Sequence, residues 1–391
     1  MNTPIDLTDK RAPELLDNRS SNEREVLSLI RQHGALPKAT ISKMTGLSAQ
    51  SATVIIKKLE ADNLVKRLPA EKGAVGQPKI PFALNESGAF GVGLKIGRRS
   101  YDMTLIDFTG QIVNSIHETV HYPSVGSLLA FAQRAHRKLI GDSPDGSVKR
   151  VLGMGVAMPF SLWEWAEEAR APDEELQQWK QFDIQQRLGD LLSLPVFLRN
   201  DATAACSAEL SFGNSLHWQH FLYIFVGAFV GGGIVLNGRL ISGKGGNAGA
   251  IGSMLLHDTD DSRQLITQSS LYLLESALNK NGEKGKQLFE NTERWQVNED
   301  VLTTWLKTAA RGLAYASHSA MSLLDLEGVI IDGAMPEAVK LQLVSETQSQ
   351  LNKLDDRGVS EIHVSAGEIG AKAQSIGSAN LPLLANYARH L

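Results

Sequence analysis

The sequence predicts an N-terminal winged helix-turn-helix followed by a larger α/β domain of two similar lobes. Three amphipathic helical stretches, separated by Gly and Ser signals, open the chain, and two strand-like runs follow them. Beyond about residue 88, groups of strands mix with helices, the pattern of an α/β fold. Charge divides in the same place. Residues 21–82 hold ten Lys and Arg against five Asp and Glu, so +5 there leaves −9 for the rest of a chain of net charge −4. A small basic segment joined to an acidic body fits a nucleic-acid module attached to something else.

The 391 residues allow two or three domains. One cysteine, Cys206, excludes an internal disulfide and a cysteine zinc cluster and fits a reducing cytoplasm. The opening stretch MNTPIDLTDKRAPELLDNRSS lacks the apolar run of a signal peptide, and no stretch of roughly 18 apolar residues occurs elsewhere. A cytoplasmic protein without a membrane segment is the expectation. Residues 1–19 read as a flexible arm, 20–85 as the winged helix-turn-helix and 86–391 as the larger domain.

The first helix lies in SSNEREVLSLIRQHG, with Asn22 as cap, Glu25 three residues on, Val26, Leu29 and Ile30 as its apolar stripe, and Gly34 as its end. The second is PKATISKMTG, started by Pro37, with Ile41 and Met44 facing inward and Gly46 as its stop. The third, SAQSATVIIKKLEADNL, is capped by Ser48 and turns Ala52, Ile55, Ile56 and Leu59 inward. Its opposite face carries Gln50, Ser51, Thr53, Lys57 and Lys58, side chains suited to base edges and phosphates in a major groove. LVKRLPA and KIPFAL then form a hairpin wing around EKGAVGQP. Lys66, Arg67, Lys72 and Lys79 are candidate phosphate contacts, and Gln77 at the tip is a candidate minor-groove contact. A protein-docking module with a solvated basic face is the alternative.

The larger domain reads as strands at AFGVGLKIG, SYDMTLIDFTGQIV and NSIHETVHY, a helix at SVGSLLAFAQRAHRKLI, and a strand at VLGMGVAMP. A Trp-rich loop with Trp163 and Trp165 follows, then PVFLRND, the helix ATAACSAEL, and FLYIFVGAFVGGGIVLNGRLI as strand, turn and strand. Helices fill 267–325, and EGVIIDGAMP and EIHVSAG are further strands.

Seven motifs in this order resemble the ROK family of sugar-responsive repressors and sugar kinases: GVGLKIG, GVAMP, RNDATAA, VGAFVGGGIVLNG, GGNAGAIGSM, VIIDGAMP and AKAQSIGSANLPL. The resemblance implies an actin/hexokinase-like domain of two lobes around a cleft. Lobe 1 would span about 86–196 with 376–391, and lobe 2 about 197–375. The winged helix in front matches the repressor branch.

Phosphoryl transfer from ATP needs metal-bound phosphates held in glycine-lined loops. Where the resemblance implies an aspartate, this chain has Lys95. Where it implies Thr-Gly, the chain has Ala228 and Phe229; a further glycine is Ala334. The signature Gly-Glu-Ile-Gly-His reads Gly249-Ala250-Ile251-Gly252-Ser253, and the cysteines of a structural zinc site are missing from HDTDDSRQLITQ. A sugar-binding glutamate falls on Leu265 or Ile266. Kinase activity is therefore expected to be lost, with no cofactor and no metal. The candidate effector contacts are Asn200 and Asp201, the latter matching the family's catalytic base, with Asn247, Gly249, Ser253 and Lys95. The alternative for Asn200 and Asp201 is a cap on the following helix, and Lys95 is a candidate partner of Asp201. The expected partners are operator DNA, a small carbohydrate or sugar-phosphate effector bound between the lobes, and a second copy or more of the chain as homodimer or homotetramer. The alternatives are a sugar kinase with a fused DNA module and a domain that only dimerises or docks proteins.

Overall fold

A computed structural model describes residues 17, 19–70, 79–141, 150–160, 162–164, 172–213, 216–258 and 261–388. Lys72, Gln77, Trp165 and most of the expected arm lie outside these residues. Two compact units emerge, one of 17–204 with 375–388 and the other of 205–374. The winged helix thus shares a unit with residues 86–204, and the division between the units falls at 204/205.

Helix α1 (Ser21–His33) starts at Ser20, not Asn22. Glu23 N–H donates to Ser20 Oγ at 3.3 Å and the Ser20 N–H donates to the Glu23 carboxylate at 2.9 Å, a reciprocal box that satisfies two helix-end donors. Glu23 rather than Glu25 stands three residues from a hydroxyl, which moves the start two residues back. Val26, Leu27 and Ile30 are buried, and α1 stops at Gly34 in a positive-φ conformation. β1 (Leu36–Pro37) leads into α2 (Lys38–Thr45), which ends on Gly46 at φ +69°. This two-turn helix buries Ile41 and leaves Met44, expected inward, 43% exposed. In α3 (Ala49–Ala61) Ser48 caps the N-terminus, and Ala52, Ile56 and Leu59 are buried, with Ile55 half-buried. β2 (Val65–Arg67) and β3 (Pro81–Leu84) complete an antiparallel sheet of order β1-β3-β2, the wing.

β4 (Phe90–Ile96), β5 (Ser100–Ile106) and β6 (Ile112–Thr119) form an antiparallel meander with Gly110 at a positive-φ turn. After α4 (Val125–His136), β7 (Val151–Met158) runs parallel to β4. α5 (Asp173–Gln177) and α6 (Ile184–Leu192) precede β8 (Val196–Asn200), parallel to β7, and α7 (Asp201–Phe212) follows. The sheet order is β6-β5-β4-β7-β8.

The second sheet repeats this topology. β9 (Phe221–Val226), β10 (Val230–Leu236) and β11 (Arg239–Ile241) make an antiparallel meander. The hairpin β12 (Leu255–Asp258) and β13 (Asp261–Gln264) occupies the segment where the family resemblance implies zinc cysteines. The helices α8 (Ile266–Ser269), α9 (Leu271–Lys280), α10 (Gln287–Glu290) and α11 (Glu299–Leu324) follow. β14 (Gly328–Gly333), α12 (Glu337–Leu351) and β15 (Val364–Ala366) close the order β11-β10-β9-β14-β15. Phe221, Tyr223, Phe225, Val235, Ile330 and Cys206 pack at its core. The sequence reading gave no helix to α12, because its inward side mixes Val339, Leu343 and Leu351 with Lys340 and Thr347.

The last helix, α13 (Ala373–Tyr387), lies from Ser375 onward in the first unit. A Cβ on Gly91 would stand 2.0 Å from the Ala379 carbonyl oxygen, and one on Gly155 would stand 1.8 Å from that of Ser378. The glycines of GVGLKIG and GVAMP therefore admit a helix backbone against β4 and β7. GVGLKIG itself is strand, with the hairpin turn beginning only at Gly97. Among the described residues, no helix is long and apolar enough to cross a membrane.

Candidate nucleic-acid interface and effector site

On α3, Gln50, Ser51, Val54, Lys57 and Lys58 are exposed, with Thr53 half-buried at the edge. Gln50, Val54 and Lys57 recur at i, i+4 and i+7, so they line one face. The hydroxyls have local partners. Ser51 Oγ lies 2.9 Å from the capping Ser48 Oγ, and Thr53 Oγ1 donates to the Ala49 carbonyl at 2.8 Å. Three expected DNA contacts have acidic partners. Lys58 Nζ sits 2.6 Å from the buried Glu23, Lys66 pairs with Glu86 at 2.5 Å, and Arg67 with Glu60 at 2.5 Å. Burial pushes the Glu23 carboxyl pKa up, but the Lys58 ammonium and the hydrogen bonds from Ser20 outweigh it and hold the group below its usual value. Lys58 thus stabilises the cap of α1 from the recognition helix. Lys79 is exposed on the wing.

A polar seam binds this module to the first lobe. Arg19 bridges Asp17 at 2.8 Å and also contacts Asp62, the residue that ends α3. Asp17 further meets Arg150, at the start of β7, and accepts from the Tyr387 hydroxyl at 2.8 Å. Arg150 donates to the Asp62 carbonyl at 3.1 Å, and Arg24 of α1 donates to the Ala385 carbonyl of α13 at 2.8 Å. Arg31 donates to the Phe108 carbonyl at 3.0 Å, its guanidinium 4.9 Å from that ring centre. Asp17 and Arg19, read from sequence as part of a flexible arm, are the hub of this seam. Their partners are remote in sequence, so only the fold brings them together.

Asn200 and Asp201 sit where β8 hands over to α7. Asn200 Oδ1 accepts from the Ala202 N–H at 3.0 Å and the Thr203 N–H at 3.4 Å, and Asp201 Oδ1 accepts from the Ala202 N–H at 2.9 Å. Both cap the helix, which fixes their side chains at the carboxyl end of a parallel strand, the usual ligand edge of an open α/β sheet. Lys95 lies inside β4 and pairs at 3.5 Å with Asp102 of β5, its register neighbour, rather than with the expected Asp201. Asp102 is also 2.6 Å from His117 Nδ1. The register continues from Lys95 to Ala157 and Arg199, so His117, Asp102, Lys95 and Arg199 share one face of the sheet. Arg199 donates through Nη1 to the Leu198 carbonyl, while its buried Nε has no hydrogen-bond partner among the described residues. Burial holds its pKa below the usual value. Sequence reasoning missed Arg199, because the pairing register that aligns it with Lys95 is a tertiary fact.

Asn247, Gly249 and Ser253 belong to the other unit. Asn247 and Ser253 are exposed. Gly249 has φ +80°, and a Cβ there would lie 2.8 Å from Gly233 Cα, so backbone packing accounts for this glycine. The expected phosphate turn between β9 and β10 is closed by protein. The Leu271 and Tyr272 N–H groups at the start of α9 donate to the Gly227 and Ala228 carbonyls at 3.0 and 3.2 Å. Phe229 packs edge-on to Tyr272 with ring centres 5.4 Å apart. Leu265 and Ile266 are buried. Asp332, in VIIDGAMP, is fully buried and receives the Tyr223 hydroxyl at 3.1 Å and the Lys340 ammonium at 3.4 Å.

Comparison with known proteins gives these features a context. The ROK family profile matches residues 91–383, and the MarR family profile matches residues 20–72. An uncharacterized protein, y4fQ, of Sinorhizobium fredii is 24% identical over 371 residues, covering 94% of this chain and 92% of that protein. The xylose repressor of Bacillus subtilis is 22% identical over 237 residues, 60% of each chain. The DNA-binding transcriptional dual regulator NagC of Escherichia coli is 22% identical over 240 residues, 59% of this chain and 56% of its own. The chain therefore spans less than two thirds of either named regulator. Among solved structures, a ROK family transcriptional regulator, a homologue of the E. coli MLC protein, has TM-score 0.65 at 20% identity and covers 94% of this chain and 96% of its own. A ROK family glucokinase from Streptomyces griseus, in complex with glucose and AMPPNP, has TM-score 0.56 at 21% identity, covering 75% and 98%. At these identities the likeness shows the fold.

Proposed function

This chain belongs to the ROK family, and on that footing we propose that it is a DNA-binding transcriptional regulator. It acts as a repressor of carbohydrate uptake or catabolism genes and is switched by a sugar or sugar-derivative effector. The observation that carries this reading is the third helix of the winged module, whose exposed face presents Gln50, Ser51, Val54, Lys57 and Lys58 while its other face is buried. A homodimer presents two such helices to a pseudo-palindromic operator. The xylose repressor and the DNA-binding dual regulator among the relatives support the same reading.

The effector contacts Asn200 and Asp201, held in place by their capping bonds, with Lys95 of the same unit as a further candidate. Switching requires that the effector bind one conformation more tightly than another. Loss of kinase activity is supported by the phosphate turn. The carbonyls of Gly227 and Ala228 fill the start of α9, and Phe229 stands where close approach of a phosphate needs glycine. The capping role of Asp201 leaves its survival unlinked to catalysis.

The test begins with selection of duplexes from a random pool by the purified protein. The enriched site is then titrated against a panel of sugars, sugar phosphates and sugar acids. One sugar that shifts DNA affinity, with no ATP turnover above background, is the expected result. Sugar-dependent ATP turnover that disappears in Asp201→Asn would establish the kinase instead. Duplex binding indifferent to every sugar would leave the larger domain as an assembly body.

A further inference from the structure

Val54 is the anomaly of the recognition helix. It is 61% exposed, in the middle of a face whose other exposed members are polar or charged. Packing does not account for it, since the inward side of α3 is met by Ala52, Ile56 and Leu59. Helix propensity does not either, because a β-branched side chain is a weaker helix former than the lysines and glutamine around it. Its place is defined by neighbours one turn away on each side, Gln50 and Lys57.

The polar groups around it narrow what this face can read. The Ser51 hydroxyl already bonds to that of the capping Ser48, the Thr53 hydroxyl donates to the Ala49 carbonyl, and Lys58 pairs with Glu23, whereas Gln50, Val54 and Lys57 form the exposed row between them. The reader that remains along i, i+4, i+7 is an amide, two methyls and an ammonium. In the major groove the apolar feature of a base pair is the 5-methyl of thymine, and an amide matches the adenine edge. We propose that Val54 reads a thymine 5-methyl group and sets a thymine preference at one position of each operator half-site, beside an adenine read by Gln50. This rests on the DNA-binding reading above.

The experiment uses the full-length protein and the duplex it enriches from a random pool. Each thymine is replaced in turn by deoxyuridine, which removes the methyl and nothing else. At one thymine per half-site, wild-type affinity is expected to fall about fourfold, the effect of one buried methyl. In Val54→Ala, which leaves the core of α3 untouched, the same replacement should have no effect. Indifference to every replacement, or an equal loss in Val54→Ala, would overturn the assignment while leaving DNA binding intact. Failure to enrich any duplex would overturn the regulator reading, and this inference with it.

Discussion

The two five-stranded sheets share one strand order, yet they use their buried charge differently. Each has a lysine–aspartate pair. In the first, Lys95 and Asp102 are 23% and 20% exposed and lie on a face with His117 and with an Arg199 whose Nε has no partner among the described residues. In the second, Lys340 and Asp332 are 3% and 0% exposed. Asp332 also accepts from Tyr223, Gly333 and Gly370, and Lys340 also donates to the Gly367 carbonyl. The first pair remains within reach of solvent. The second is sealed into a network that ties β14, α12 and the segment after β15 together. Equal topology therefore does not give equal chemistry: the first sheet keeps a polar surface, while the second spends its polar groups on structure.

The glycines give the largest effect by which to test this contrast. Gly155→Ala drives a Cβ into the Ser378 carbonyl of α13, a backbone atom that cannot move aside. The expected outcome is loss of soluble, cooperatively folding protein. Gly126→Ala, in open space within α4, should be neutral or slightly stabilising in the same denaturation assay. The ion pairs come next. Lys340→Met leaves Asp332 buried beside an apolar chain and should cost about 3–5 kcal/mol in urea unfolding. Lys95→Met removes a half-exposed pair and should cost about 0–1 kcal/mol. Equal costs would refute the contrast between the sheets.

A smaller effect concerns acid. Burial raises the Asp17 carboxyl pKa, and the hydrogen bonds from Arg19 and Tyr387, with the charges of Arg19 and Arg150, outweigh it and hold the group below its usual value. A carboxyl depressed in the folded state contributes stability that is fully present above its unfolded pKa of about 3.8 and is lost as pH falls through the lower folded value. Unfolding followed from pH 6 to pH 2 should show a shallower acid limb in Asp17→Asn than in the wild type. The smallest effect is on DNA. Lys57→Ala should weaken binding almost evenly across sequences and reduce the salt dependence of affinity by about one counterion.

Much of the architecture was legible before any coordinates. Gly34, Gly46 and Ser48 mark helix ends because caps and left-handed stops are made by residues within four positions of one another. The order of strands and helices followed from periodicity, and Ala228 and Phe229 stand where the family resemblance implies Thr-Gly. α12 escaped because its inward side carries Lys340 and Thr347, whose partners lie on other elements. Tertiary structure decided what each marked residue is for. Gly91 and Gly155 are there for the backbone of α13, Lys95 belongs to Asp102, Lys58 serves Glu23, and Asp17 gathers Arg19, Arg150 and Tyr387. The reason is range. Helix hydrogen bonding, capping and side-chain period act along a few residues, whereas strand register, steric approach and charge act through space, between groups that the chain leaves up to 370 positions apart.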